Sequence, residues 1–245
     1  MAYIQEFDDY DLPRFLAHAR SLEPNDFNFV VTPNADHLVR LRDDNLFRGF
    51  YGEASFVLLD SRLVAHALRL FRGQRFPVCT GSDLTAALFS QVISAEDAIV
   101  VVGGTREQAE QLRLRHGLGR LVHHAPPMGL AQNPEAIEAC VRFIEEHSPF
   151  RFCFLALGSP QQEMIASRVK ARGRARGLAL CIGASINFLT GSERRAPQWM
   201  QRLGLEWLFR LGQAPRRMWR RYVLNAPLAL RMLFTGVFRL RATRP

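Results

Sequence analysis

Short apolar runs that each end at a turn residue recur between residues 27 and 182, and they constrain the fold more than any other feature of the chain. Helical patterns separate them. The runs are apolar throughout rather than alternating, which is typical of strands buried on both faces of a parallel sheet. They lie at 27–31, 56–59, 77–79, 98–102, 152–157 and 178–182. We therefore predict an α/β protein with a Rossmann-like, mainly parallel sheet and flanking helices.

The pattern changes near Arg194. From there to residue 245 the chain has twelve arginines, no lysine and one acid, Glu206, which makes +11, so residues 1–193 carry −2 of the total charge of +9. The apolar positions of this part repeat with helical spacing, and we predict no strand in it. We predict two units, a Rossmann-like body at 1–193 and a basic, amphipathic helical appendage at 194–245.

The appendage separates its positive charges from its aromatic side chains. On a helical wheel at about 100° per residue, four arginines fill one arc and Trp219 lies in the opposite arc. The four are Arg216, Arg217, Arg220 and Arg221. A basic face opposed to an apolar face is the form of a helix that lies in a membrane interface. A nucleic-acid-binding module is the alternative, but base stacking needs aromatic residues interleaved with the cations. We therefore expect a membrane surface as a partner, and no nucleic acid.

Other signals limit the chemistry and the compartment. The four cysteines form no C-x-x-C pair and the histidines show no metal-ligand spacing, so we expect no metal and no cofactor. The acidic start lacks the features of a signal peptide, and the apolar stretch at 224–238 is interrupted by Asn225, Pro227, Arg231 and Gly236. We expect a protein of the reducing cytoplasm without a membrane-spanning helix.

Ligands of parallel sheets bind beyond the carboxyl ends of the strands, so the turns after the apolar runs are the candidate site. After the first run, Thr32 has the position of a helix cap and Pro33 that of the first helical residue. That interpretation leaves Asn34 unexplained, because asparagine is a mediocre helix former. Asn34 is therefore a candidate ligand contact.

The segment Gly158-Ser159-Pro160-Gln161-Gln162-Glu163 follows another run in the same way. Ser159 and Gln162 have the spacing of a capping box, which alone would account for Gln162. The free N–H groups of a helix start would also bind a phosphate, so a cap and a diphosphate site are both open.

Two further turns carry candidate residues. Asp60 directly follows the second run, where its carboxylate could act as a general base or cap the next helix. Gly103-Gly104-Thr105 forms a tight turn before a capped helix, but it lacks the full G-x-G-x-x-G fingerprint and is a weak nucleotide signal.

These motifs occur together, and in this order, in the WecG/TagA/CpsF glycosyltransferases of bacterial surface-polysaccharide synthesis, which the chain resembles over about residues 5–225. The carried motifs are Thr32 to His37, the apolar run that ends at Asp60, Thr80-Gly81-Ser82-Asp83-Leu84, Pro126-Pro127, Gly158 to Glu163, and the block from Arg195-Ala196-Pro197 through Gly204-Leu205-Glu206-Trp207 to Tyr222. The last block is the most specific of them.

The resemblance implies an inverting, metal-independent glycosyltransferase that moves a sugar from a UDP-sugar to a sugar on a polyprenyl diphosphate. It implies an appendage that meets the inner face of the plasma membrane and helps close the active site, with Asp60 as the catalytic base. We assign substrate binding to Thr32, Asn34, Gly104, Gly158, Pro160, Gln162, Glu163, Asn187 and Arg195. We assign membrane or diphosphate contact to Arg216, Arg217, Trp219, Arg220 and Arg221.

The chain departs from the family pattern at three places. Leu59-Asp60-Ser61, followed by Arg62, stands where the family usually has Pro-Asp-Gly. Val78 replaces a common arginine, for which Arg75 is a candidate substitute, and Asn187 replaces an aspartate. The departures leave open the donor sugar, for which UDP-glucose, UDP-N-acetylmannosamine and its uronic acid all suit the family. They also leave open a catalytically inactive homologue.

Overall fold

The computed structural model describes residues 4–23, 25–213, 228, 231–232 and 234–241. Six strands form one parallel sheet in the order β3-β2-β7-β6-β4-β5, and β1 and β8 form a separate parallel pair. The strands are β1 Ile4–Asp8, β2 Phe27–Val31, β3 Phe56–Val57, β4 Ile99–Gly103, β5 Leu121–His124, β6 Phe152–Ala156, β7 Gly177–Cys181 and β8 Val237–Arg241. The predicted α/β class with a mainly parallel sheet is confirmed.

Helices follow the strands along the chain. They are α1 Leu12–Ser21, α2 Ala35–Asp43, α3 Asn45–Glu53, α4 Arg62–Arg72, α5 Gly81–Gln91, α6 Arg106–His116, α7 Pro134–Glu146, α8 Gln161–Arg172, α9 Ser185–Leu189, α10 Gln198–Arg202 and α11 Glu206–Gln213, with a 3₁₀ turn at Leu130–Gln132. Among the residues described, no helix is both long and apolar enough to cross a membrane.

The core lies in two layers, one on each face of the sheet. Alternate residues of a strand point to opposite faces, and Phe29 and Val31 belong to one apolar cluster while Val30 belongs to the other. The first cluster is completed by α2, α3, α4, α7 and α8, and the second by α1, α5, α6 and α9. Burial on both faces is the physical reason that these strands are apolar throughout.

One predicted strand is wrong and one is too long. Residues 77–79 form no strand, although the N–H of Cys79 donates to Leu59 O at 3.1 Å. Pro77 has no N–H to give to a ladder, which limits pairing there. The strand predicted at 56–59 is assigned only over Phe56–Val57, and the N–H of Leu58 still donates to Val31 O at 3.0 Å.

The prediction that the part after Arg194 contains no strand is also wrong. β8 pairs in parallel with β1, so the chain's first and last described segments lie side by side. Phe238 of β8 is 2% exposed and stacks on Phe7 of β1 with a centroid distance of 6.4 Å. The Arg241 guanidinium lies 3.5 Å from Glu6. The C-terminal part is therefore attached to the body at this point by an apolar and an ionic contact.

Candidate active site

A cavity of about 660 Å³ opens beyond the carboxyl ends of β2, β6 and β7, which are neighbours in the sheet. We call it the main cleft. Its walls come from the turns that follow these three strands and β3, and from α2, α5, α9 and α11. The polar side chains that line it belong to Thr32, Asn34, Asp36, His37, Arg40, Asp60, Ser82, Ser159, Gln162, Ser185, Asn187, Glu193, Arg210 and Gln213.

The turn after β2 is built differently from the sequence interpretation. Asn34, not Thr32, is the cap of α2, and its Oδ1 accepts hydrogen bonds from the N–H groups of Asp36 and His37 at 3.0 and 3.3 Å. Its amide nitrogen is then the polar atom left for a ligand in the cleft. The Thr32 hydroxyl donates to Cys181 O at 3.5 Å. A Cβ on Gly81 would lie 2.9 Å from that hydroxyl, so glycine there lets α5 approach β2.

The start of α8 is also different, because the helix begins at Gln161 without a side-chain cap. The capping-box interpretation of Ser159 and Gln162 is therefore wrong. The Gln162 Oε1 accepts from the N–H of Gly183 at 2.9 Å, and its Nε2 donates to Glu163 at 3.0 Å. The bond to Gly183 joins the turns after β6 and β7, and the two bonds together fix the side chain of Gln162 at the cleft wall.

The free N–H groups expected at this helix start are already engaged. Those of Gln161 and Gln162 both donate to Gly158 O, at 3.0 and 3.3 Å. Glu163 is fully buried, and burial raises the pKa of its carboxyl despite the lowering effect of the Gln162 hydrogen bond. The amides of Gln161 and Gln162 are therefore not free for an anion in the main cleft, where Arg40 and Arg210 offer side-chain partners.

Asp60 stands where two cavities meet. Its N–H donates to Pro33 O at 3.0 Å, which holds it beside the turn that carries Asn34. It lines the main cleft and also a second cavity of about 240 Å³, which we call the side pocket. The side pocket is lined by Asn34, Ala35, Asp36, Asp60, Ser61, Arg62, Leu63, Thr80, Gln201, Gly204, Glu206, Trp207 and Arg210. One wall of it thus comes from the turn after β3 and the other from α10 and α11.

Two arginines of the main cleft were not among the site residues predicted from the sequence. The Arg40 guanidinium lies 5.1 Å from the ring of Phe47 and donates to the Ser159 hydroxyl at 3.5 Å. Arg210 lies over the ring of Phe188 at 5.0 Å and pairs with Glu206 at 2.8 Å. Arg40 is four residues after Asp36 on α2, so helical spacing alone could have placed it on the face of that helix that lines the cleft.

Asn187 is held in the cleft wall by α6. Its Oδ1 accepts from Gln108 at 3.0 Å and its amide donates to Glu193 at 3.3 Å. Gln108 also forms the predicted cap at the start of α6, where it makes a reciprocal capping box with Thr105. Gly104 precedes this cap with φ +71°, but it does not line the cleft.

The predicted site residues divide into three groups. Thr32, Asn34, Asp60, Gly158, Gln162 and Asn187 are brought together around the main cleft. Gly104, Pro160, Glu163 and Arg195 line neither cavity. Arg216, Arg217, Trp219, Arg220 and Arg221 lie outside the described residues. Arg75 is exposed and also lines neither cavity.

Arg195 instead belongs to a charged cluster beside the side pocket. Asp83 accepts from Arg195 at 2.8 Å and from Arg62 at 2.6 Å. Although burial favours the neutral form of Asp83, the charge of Arg195, hydrogen bonds from Thr80 and Arg195, and the charge of Arg62 lower its pKa. The Asp83 carboxylate is therefore ionised at neutral pH. No group of three potential metal ligands is found within the described part of the chain.

A parallel sheet with a carboxylate, amides and arginines gathered beyond its strand ends is the architecture of an α/β enzyme that binds its ligands there. The chain matches the Glycosyl transferase WecG/TagA/CpsF family over residues 4–243, and it belongs to this family. It is therefore a glycosyltransferase of cell-surface polysaccharide biosynthesis. The match extends through the basic C-terminal part as well as the body.

Proposed function

We propose that the protein transfers a sugar, with inversion at the anomeric carbon and without a metal, from a UDP-sugar to a sugar carried on a polyprenyl diphosphate. The observation that carries the proposal is the position of Asp60, which lines both cavities. A general base must reach the acceptor hydroxyl at the point where this hydroxyl meets the donor, and a residue at the junction of two binding spaces meets this condition.

The main cleft is suited to the donor. It is the larger cavity, and Arg40 and Arg210 supply positive charge for a diphosphate. Asn34 and Gln162 have hydrogen-bonding side chains fixed by neighbouring backbone, and Thr32 and Asn187 stand close to them in the same wall. We assign binding of the UDP-sugar to this set.

The side pocket is suited to the acceptor. Leu63 and Trp207 give it apolar and aromatic wall, and sugars present C–H faces to such surfaces. The wall formed by α10 and α11 leads into the basic segment that carries Arg216, Arg217, Arg220 and Arg221. We propose that this segment rests on the inner face of the membrane and neutralises the lipid diphosphate.

In this arrangement Asp60 removes the proton of the acceptor hydroxyl. The hydroxyl oxygen attacks the anomeric carbon from the face opposite UDP, the bond to the UDP oxygen breaks, and the diphosphate leaves with its charge balanced by arginine. Attack from the opposite face is the reason for inversion.

Replacement of the proposed base tests this function. We expect Asp60→Asn to lower sugar transfer by roughly 10²–10⁴-fold while UDP still binds, because the amide keeps the shape of the carboxylate but does not accept the proton. The assay offers a panel of UDP-sugars with a polyprenyl-diphosphate-linked acceptor. Asp97→Asn is the control, since Asp97 pairs with Arg151 at 2.8 Å and lines neither cavity. Near-normal transfer by a folded Asp60→Asn variant would remove Asp60 from the role of base.

A further inference from the structure

The two walls of the side pocket come from parts of the chain that are far apart in sequence, and the Asp83 carboxylate bridges them. Arg62 begins α4, two residues after Asp60, and donates to the Asp83 Oδ2 at 2.6 Å. Arg195 precedes α10 and lies 2.8 Å from the Asp83 Oδ1. Each oxygen of Asp83 therefore serves one wall.

The link continues into the C-terminal wall. The Arg195 guanidinium donates to Gln201 Oε1 at 3.1 Å, and Gln201 Nε2 donates back to Ala196 O at 2.7 Å. Gln201 itself lines the side pocket. An unbroken series of contacts thus runs from the turn that carries Asp60, through Asp83, to a residue of the opposite wall.

The cluster is sheltered enough for these contacts to matter. The side chains of Arg62, Asp83 and Arg195 are 28%, 20% and 24% exposed, whereas the pair of Arg113 and Glu110 on α6 is 46% and 49% exposed. A charge pair removed from water is weakened less by solvent and salt than a surface pair. Without the Asp83 carboxylate, the guanidinium groups of Arg62 and Arg195 would lie close together beside the side pocket with no negative charge between them.

We propose that Asp83 is a positioning residue, which holds the turn bearing Asp60 and the C-terminal wall at the separation that the acceptor requires. This inference rests on the proposed function for its reaction. Arg62 and Arg195 neutralise Asp83 and act on the substrate through the geometry that they maintain.

The test compares Asp83→Asn with Asp97→Asn, which removes the charge from another partly sheltered ion pair away from both cavities. We expect Asp83→Asn to raise the KM for the acceptor and to lower kcat by about 10–100-fold, while the dissociation constant for UDP, measured by calorimetry, stays within about twofold. A loss of folded protein alone would leave KM unchanged. Asp97→Asn should leave both kinetic constants unchanged.

Two more variants sharpen the test. Asp83→Glu keeps the charge and should recover part of kcat. Arg62→Ala should change kcat and the acceptor KM little when it is added to Asp83→Asn, because both substitutions break the same link. Normal acceptor KM and kcat in Asp83→Asn would overturn the proposal, and so would an equal loss of UDP affinity.

Amide hydrogen exchange separates this inference from the proposed function. The amides of residues 196–213 should exchange about tenfold faster in Asp83→Asn than in the wild type. Their exchange rates in Asp97→Asn should equal those of the wild type. If the wild-type protein transfers no sugar, the proposed function fails, and the exchange of this segment still decides whether Asp83 holds the wall. Unchanged exchange would overturn the link.

Discussion

Arg40 and Arg42 lie on the same helix but face different surroundings. Arg40 lines the main cleft, whereas Arg42 pairs with the exposed Asp43 at 2.6 Å. Because the first amides of α8 are already hydrogen-bonded, arginine should contribute strongly to holding the diphosphate of the proposed donor. We expect Arg40→Ala to weaken UDP binding by about tenfold, the effect of one charge-assisted hydrogen bond, and Arg42→Ala to leave it unchanged. Calorimetric titration with UDP checks this, and equal affinity of the two variants would contradict it.

Glu163 gives a pH dependence whose sign follows from its burial. The pKa of its carboxyl is raised in the folded protein, so the unfolded chain loses this proton first as the pH rises past about 4.3. Folding then becomes less favourable with increasing pH until the pKa of the folded state is passed. Glu163→Gln keeps the acceptor for Gln162 and removes the proton, so we expect it to gain stability relative to the wild type as the pH rises.

Urea unfolding from pH 4 to pH 8 measures this difference. The exposed Glu96→Gln is the control and should give a curve parallel to that of the wild type. A constant difference between Glu163→Gln and the wild type across this range would show that the carboxyl does not titrate as burial requires.

At residue scale the sequence identified the right turns but not the roles within them. The cap of α2 lies two residues after Thr32, and α8 begins without the cap predicted at Ser159. One residue of helix is about 100° of rotation, so a small shift in the helix start redirects every side chain of the first turn. Spacing therefore placed Asn34 and Gln162 near the cleft but did not reveal that Asn34 is a cap or that Gln162 joins two turns.

Among elements, the strands found from the sequence are those covered on both faces. β2, β4, β6 and β7 are nearly continuous apolar runs because helices pack on each side of them. β1, β5 and β8 escaped detection because they contain charged residues or histidine and lie at edges or in the small pair. An edge strand needs fewer apolar residues, so its pattern resembles that of a loop.

β8 also provides a test at element scale, since its side chains differ sharply in burial. Phe238 is 2% exposed and packs on Phe7, whereas Leu240 is 42% exposed. Removal of a buried phenylalanine side chain costs about 3–5 kcal/mol, so Phe238→Ala should lower the unfolding free energy by about this amount. Leu240→Ala should cost less than about 1 kcal/mol. Chemical denaturation compares the unfolding free energies of the two variants. Equal values would show that the packing of β8 on β1 does not stabilise the fold.

For the whole molecule, the distribution of charge matters more than its total. Residues 194–245 carry +11 and the body carries −2, so an anionic surface attracts one part of the protein and not the other. Each basic residue close to an anionic membrane contributes about 1 kcal/mol to binding. The location of the arginines, and not net charge alone, should therefore decide membrane association.

A pair of charge-matched variants separates location from total charge. The first changes Arg216, Arg217, Arg220 and Arg221 to Glu, and the second changes four exposed arginines of the body, Arg106, Arg120, Arg168 and Arg174, to Glu. Both lower the net charge equally. We expect the first to abolish sedimentation with anionic liposomes and the second to leave most of it, because the four body arginines are spread over residues 106–174 whereas the other four lie within six residues. Equal losses would make the attraction one of net charge, and retention of RNA without binding to liposomes would favour a nucleic-acid partner instead. Loss confined to the first variant would assign membrane contact to the segment that follows α11 in the sequence, as the proposed function requires.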